Sequence, residues 1–180
     1  MHSAVESMGD FHCSDDVANK IQEITRRSDV SNYHYFPTDC PQREKNGWTG
    51  DAILSCEQML LNFNPEANYR EWLRNICKAQ KENGGIPGIV PVTAWGGCDV
   101  DYGPGYDSVL VYLPYFVYIY RGEKEMIKES AAAITKYLQY IANCLDDNGL
   151  THNGLGDWLH VGREVDKAKA PYEVVSSALS

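Results

Sequence analysis

Thirteen consecutive residues, Asp39-Cys40-Pro41-Gln42-Arg43-Glu44-Lys45-Asn46-Gly47-Trp48-Thr49-Gly50-Asp51, bring together three carboxylates, an arginine, a tryptophan and two glycines. Carboxylates beside an aromatic platform suit the cleavage of a glycosidic bond. One of them protonates the leaving oxygen, and others stabilise the oxocarbenium ion that develops. Each residue also has a plainer reading. Asp51 falls in the first turn of a predicted helix, where its charge favours the dipole; Arg43 and Asp51 could form an ion pair; Trp48 could be a core tryptophan.

The elements that must position these residues are helical. Val17, Ile21 and Ile24 predict a first helix behind a Ser14 or Asp15 cap, fading near Asp29. A second is expected over 48–63. A third runs from Pro65, as an N1 proline, to Asn83 and stops at Gly84-Gly85. A fourth is predicted over 107–120. A fifth covers 123–145 on a stripe of Ile127, Ala131, Ile134, Leu138, Ile141 and Leu145, and a sixth begins near Pro171. The only strand-like stretch, 86–92, carries two prolines and allows an edge strand at most.

Connections 64–66 and 121–123 are short enough to force antiparallel hairpins, whereas 30–47, 84–106 and 146–170 are long. Alternate loops of consecutive antiparallel helices go to opposite ends, so the three long ones gather at one end, the functional one. They and their edges hold Trp48, Trp95, Trp158, Asp39, Glu44, Asp51, Asp99, Asp101, Asp107 and Asp157. Sugar rings stack C–H faces on aromatics and hydrogen-bond carboxylates, although glycine-rich loops expose polar residues in any case. An all-α ring of helical hairpins, an (α/α) toroid, explains the short and long alternation better than a four-helix bundle.

Bulk composition narrows the classes. Sixteen Lys and Arg against 25 Asp and Glu give a net charge of -9, which argues against nucleic acid or an anionic membrane as partner. The longest apolar run, 109–120, contains Pro114 and is too short to span a bilayer. Six cysteines (13, 40, 56, 77, 98 and 144) lack CxxC or His spacing for zinc and read as free thiols, so no metal or cofactor is expected. Residues 1–10 have neither a basic nor an apolar leader region. With the thiols, this favours the cytoplasm, though an exported protein with its leader removed would read the same.

The segment from Pro37 to Asp51 resembles the signature of inverting α-L-rhamnosidases, glycoside hydrolase family 78. Phe11-His12-Cys13-Ser14-Asp15, Gly156-Asp157-Trp158-Leu159 and Ala170-Pro171-Tyr172-Glu173-Val174-Val175 resemble further parts of that catalytic domain, so the resemblance covers nearly the whole chain. It implies an (α/α)6 barrel, a six-hairpin toroid, with Glu44 as general acid. By the same resemblance Asp39 and Asp51 bind rhamnose hydroxyls, Arg43 contacts sugar and carboxylates, and Trp48 is a pocket wall. Trp95, Asp107, Asp157 and Trp158 are candidate linings of the same subsite. Nearby Asp39 and Asp51 should raise the pKa of the acid and Arg43 should oppose them.

A complete ring needs about twelve helices. Six are predicted, so residues 1–180 read as the N-terminal part of the six-hairpin domain. The expected substrate is an L-rhamnose-containing glycoside. The general base of the family lies later in the barrel, which leaves the activity of this chain alone open. A half-ring would also expose inner helices and favour self-association. Two other readings remain: a non-catalytic carbohydrate-binding or interaction domain, and a different glycosidase on the same toroid.

Overall fold

The computed structural model describes residues 2–92, 100–156 and 169–178. A two-residue ladder pairs β1 (Glu6–Ser7) antiparallel with β2 (Phe63–Asn64). The helices are α1 (Asp16–Ser31), α2 (Thr49–Asn62), α3 (Glu66–Ala79), α4 (Pro104–Asp107), α5 (Val109–Arg121), α6 (Glu125–Asn143) and α7 (Tyr172–Ala178). The ladder was not anticipated, because two residues are too few to show an alternating pattern.

Local chemistry sets the helix ends. Asp15 caps α1 by accepting the N–H groups of Val17 at 2.8 Å and Ala18 at 3.2 Å. The expected third helix runs four residues short. Gln80 leaves the helical conformation, and its side-chain amide donates to the carbonyls of Gly84 and Ala133, both at 2.9 Å. The expected fourth helix is divided at Ser108, whose hydroxyl donates to the Pro104 carbonyl at 2.5 Å. Gly122 closes α5 with φ +69°, a left-handed conformation that glycine adopts without strain. The Glu123 carboxylate then accepts the N–H groups of Glu125 and Met126 to start α6.

The core lies among α2, α3, α5 and α6. Tyr69, Trp72, Leu73 and Ile76 recur at three- and four-residue spacing, so one face of α3 is buried against α5 and α6, in one cluster with Leu110 and Leu113 of α5, Tyr137 and Ile141 of α6, and Cys56, Met59 and Leu60 of α2. α1 is different. Its Val17, Ile21 and Ile24 are 68%, 55% and 52% exposed. α1 is held to α2 by polar contacts instead: Gln22 donates to the Asn62 side chain at 2.7 Å, Gln58 donates to Asp29, and Arg26 reaches the Asn62 carbonyl at 3.2 Å. On α5, Tyr112, Tyr115 and Ile119 are likewise open. No described helix is long and apolar enough to cross a membrane, and the described cysteines 13, 40, 56, 77 and 144 are free thiols.

The three long connections do meet. Residues 47–49 pair with 88–90 through Val90 N–H to Gly47 O at 3.0 Å and Thr49 N–H to Gly88 O at 2.9 Å. Leu155 N–H bonds Tyr102 O at 2.9 Å, which ties the last loop to the second. Loops far apart in sequence thus form one surface around the N-terminus of α2.

Candidate active site

The loop before α2 is folded onto itself. Asp39 N–H bonds the Asn46 carbonyl at 3.1 Å, and Asn46 N–H returns to Asp39 Oδ1 at 2.9 Å. Between them the chain turns, and Glu44 N–H bonds Cys40 Sγ at 3.1 Å. Lys45 takes a left-handed φ of +56°, uncommon for a side-chain-bearing residue, which swings the chain back toward the sheet-like pairing at Gly47. Gly47 is required there, because a Cβ would lie 2.2 Å from the Val90 carbonyl oxygen. Trp48 follows, and its indole N–H donates to Glu44 Oε2 at 2.9 Å.

Three rings form one wall. Trp48 lies 5.4 Å from Tyr102 and 5.9 Å from Tyr106, centroid to centroid, and the two tyrosines are 5.3 Å apart. Such offset and tilted contacts are favoured by the ring quadrupoles. Gly50 is what lets Tyr106 approach, since a Cβ would lie 2.7 Å from its ring. With Asp39, Glu44, Asp51 and Leu155 these rings line a cleft of about 250 Å³. Asp39 and Asp51 also line a second cavity of about 170 Å³, shared with Asp29, Asn32, Ser55 and Gln58.

The electrostatics of the cleft concentrate on Asp51. Its carboxyl is pushed above the usual range first by burial, then by the charge of Asp39 and, less, by Glu44; a backbone hydrogen bond opposes them. Tyr106 is pushed up to about 12 by burial, then by Asp51 and Tyr102. A raised Asp51 carboxyl can keep a proton and donate to a sugar hydroxyl.

Of the expected residues, Asp39, Glu44, Trp48 and Asp51 share this cleft. Arg43 does not: it is exposed and forms no ion pair or hydrogen bond among the described residues. Trp95, Asp157 and Trp158 lie outside the described residues. Tyr102, Tyr106 and Leu155 were missed by sequence reasoning. A weak signal existed in the aromatic pair flanking Gly103-Pro104-Gly105, but nothing local says which way those rings face.

Asp107 is placed elsewhere. Its residue is fully buried and lines none of the cavities described, and neither carboxylate oxygen has a well-formed hydrogen bond among the described residues. Burial, then the charge of Asp101, push it up to about 8, against the Ile86 backbone N–H and Lys81, which pairs with Asp101 at 2.6 Å. The native state therefore holds a proton that the unfolded chain, near the ordinary value of 3.8, releases. More protons bound in the native state means that stability falls as pH rises from about 4 to about 8 and levels off above. Asp107→Asn should remove that slope, worth on the order of a few kcal/mol, so the variant gains on the native chain at alkaline pH. Urea unfolding of both across this range checks it; parallel pH profiles would refute the assignment.

Comparison with known proteins identifies the family and the fold. Residues 6–179 match the family model described as the bacterial alpha-L-rhamnosidase 6 hairpin glycosidase domain. An alpha-L-rhamnosidase of Formosa agariphila is 30% identical over 165 residues, covering 86% of this chain and 17% of that protein. The solved alpha-L-rhamnosidase from Dictyoglumus thermophilum superposes with a TM-score of 0.86 at 33% identity, over 98% of this chain and 20% of its own. A Streptomyces avermitilis alpha-L-rhamnosidase, solved in complex with L-rhamnose, shares the fold with a TM-score of 0.88 at 23% identity, over 99% of this chain and 17% of its own. The chain thus spans about a sixth of the length of the curated relatives it matches.

Proposed function

The chain belongs to the bacterial alpha-L-rhamnosidase six-hairpin glycosidase domain family, and from that premise we propose that its cleft receives a terminal α-L-rhamnosyl group, with Glu44 as the general acid of an inverting hydrolysis. The observation that supports this reading is the convergence of Asp39, Glu44 and Asp51 with the Trp48, Tyr102 and Tyr106 rings on one cleft.

Each part has a chemical task. Glu44 passes its proton to the glycosidic oxygen as the C1–O bond breaks, and the bonding pair stays on that oxygen. Asp39 and Asp51 hold ring hydroxyls and face the positive charge growing at C1. The rings pack the C–H faces and the methyl of a 6-deoxy sugar, where burial of apolar surface is favourable. Water then adds to C1 from the opposite face and yields its proton to a second carboxylate about 6.5 to 9.5 Å from the acid. We assign that base to the ring outside the 39–51 motif. In this reading the chain is the N-terminal part of the ring, and the open apolar faces of α1 and α5 are flanks on which further helices, or a second copy, pack.

Calorimetry with L-rhamnose, together with a panel of 4-nitrophenyl glycosides, tests the proposal. L-Rhamnose is expected to bind in preference to L-mannose, which carries a hydroxyl where rhamnose has only a methyl hydrogen. Preferential binding or cleavage of another glycoside would overturn the substrate assignment. Binding of rhamnose without hydrolysis would favour the carbohydrate-binding reading for the chain by itself.

A further inference from the structure

We propose that Trp48 is a positioning residue for the acid: its indole N–H holds Oε2 of Glu44 and so designates Oε1 as the oxygen that carries and delivers the proton. The inference rests on the reading of Glu44 as the acid and adds to Trp48 a role distinct from that of a sugar-facing wall.

The geometry is specific. The bond is 2.9 Å long, and it is the one side-chain hydrogen bond of Glu44 among the described residues. Glu44 is otherwise exposed on a turn, where a glutamate samples several rotamers. The four-residue separation is not a helical one. It is produced by the turn at 41–44 and the left-handed Lys45, with the Glu44 N–H anchored on Cys40 Sγ at 3.1 Å. The donor sits on a firm support. Trp48 bridges to Ile89 across the second loop, and its ring rests against Tyr102 and Tyr106.

The chemistry of the donor decides which oxygen reacts. An indole N–H can only donate. A serine, asparagine or histidine in its place could also accept, and the acid proton could then sit on either oxygen, facing the protein or the substrate. Against Trp48, Oε2 serves as the carbonyl-type acceptor, and the proton is left on Oε1. Once the proton has gone to the glycosidic oxygen, the same N–H still bonds the carboxylate. The side chain therefore need not reorient between turnovers, which is the benefit of a preorganised donor.

Nuclear magnetic resonance on the chain itself tests this without substrate. The sequence-specifically assigned Trp48 indole ¹H–¹⁵N signal is expected to shift as the Glu44 carboxyl titrates, and that component should be lost in Glu44→Gln. Asp39, Asp51, Tyr102 and Tyr106 also face this region, so a shift that persists unchanged in Glu44→Gln belongs to them and overturns the proposal. Side-chain couplings of Glu44 should report one rotamer in the native chain and averaging in Trp48→Phe; a Glu44 still fixed in that variant overturns it as well. The Glu44→Gln arm stands even if Trp48→Phe fails to fold. Neither readout depends on rhamnoside cleavage, so a failure here is separable from a failure of the proposed function. In turnover, Trp48→Phe should lower kcat about 10-fold or more on alkyl rhamnosides with KM nearly constant. On 2,4-dinitrophenyl rhamnoside, whose leaving group departs without a proton, the loss should be much smaller. Equal losses on both substrates would contradict the positioning role.

Discussion

In an enzyme that carries the whole ring, with Glu44 as the proposed general acid, Glu44→Gln is expected to lower kcat on rhamnosides with poor leaving groups by about 10²–10⁴-fold, the usual contribution of such a group. The amide keeps the shape of the side chain and can still accept the Trp48 indole N–H through its oxygen, so the fold and rhamnose affinity should persist. The cause of the loss is narrow: the leaving oxygen departs as an alkoxide instead of an alcohol. Activated aryl rhamnosides, whose phenolates leave unaided, should retain far more activity. Turnover of both substrate types by native and variant protein, with melting curves as a control, decides the matter. Normal turnover of an alkyl rhamnoside by the variant would remove Glu44 from the acid role, and an equal loss on both substrate types would point to damage other than a missing proton.

The largest effect on stability is expected at Trp72, far from Glu44 in sequence. Trp72 is fully buried in α3, and its indole N–H donates to the Val90 carbonyl at 2.8 Å. Trp72→Ala should cost about 3–5 kcal/mol from lost burial and the residual cavity. The orphaned Val90 carbonyl adds about 1–3 kcal/mol. Against a typical domain stability of roughly 5–15 kcal/mol, that brings the chain close to unfolding. The cleft should suffer before the helices do, because Val90 N–H also holds Gly47 O at the end of the 39–47 loop. Urea titration followed by far-UV circular dichroism measures the global loss. Rhamnose affinity below the transition measures the local one. A change in stability under about 1 kcal/mol would show that Trp72 does not organise the core in this way. Trp72→Phe, which refills much of the volume but not the hydrogen bond, should fall between.

Much of the architecture was legible because it is encoded locally. The α3 face is announced by Tyr69, Trp72, Leu73 and Ile76, the α1 cap by Asp15, and the hairpin turn after α5 by Gly122. Errors fell where a long-range contact competes with a local tendency. Gln80 ends α3 early because Ala133, 53 residues away, offers its side chain a carbonyl. Val17, Ile21 and Ile24 predicted a helix correctly but said nothing about whether their face would be covered.

The site shows the same division. By itself the sequence determined the run of helices, the alternation of short and long connections, and the 39–51 motif whose residue types and spacing resemble those of a rhamnosidase, since all of these depend on neighbours within a few residues. Only the tertiary structure decided which groups meet. It set Asp39, Glu44 and Asp51 against Tyr102, Tyr106 and Leu155. It turned Arg43 out to solvent and enclosed Asp107. It aimed the Trp48 indole at Oε2 of Glu44. Those outcomes depend on how loops some 40 to 110 residues apart pair across the N-terminus of α2. That pairing rests on glycines that admit a backbone or ring, and on buried hydrogen bonds such as that from Trp72, and no local pattern encodes which partner they will find.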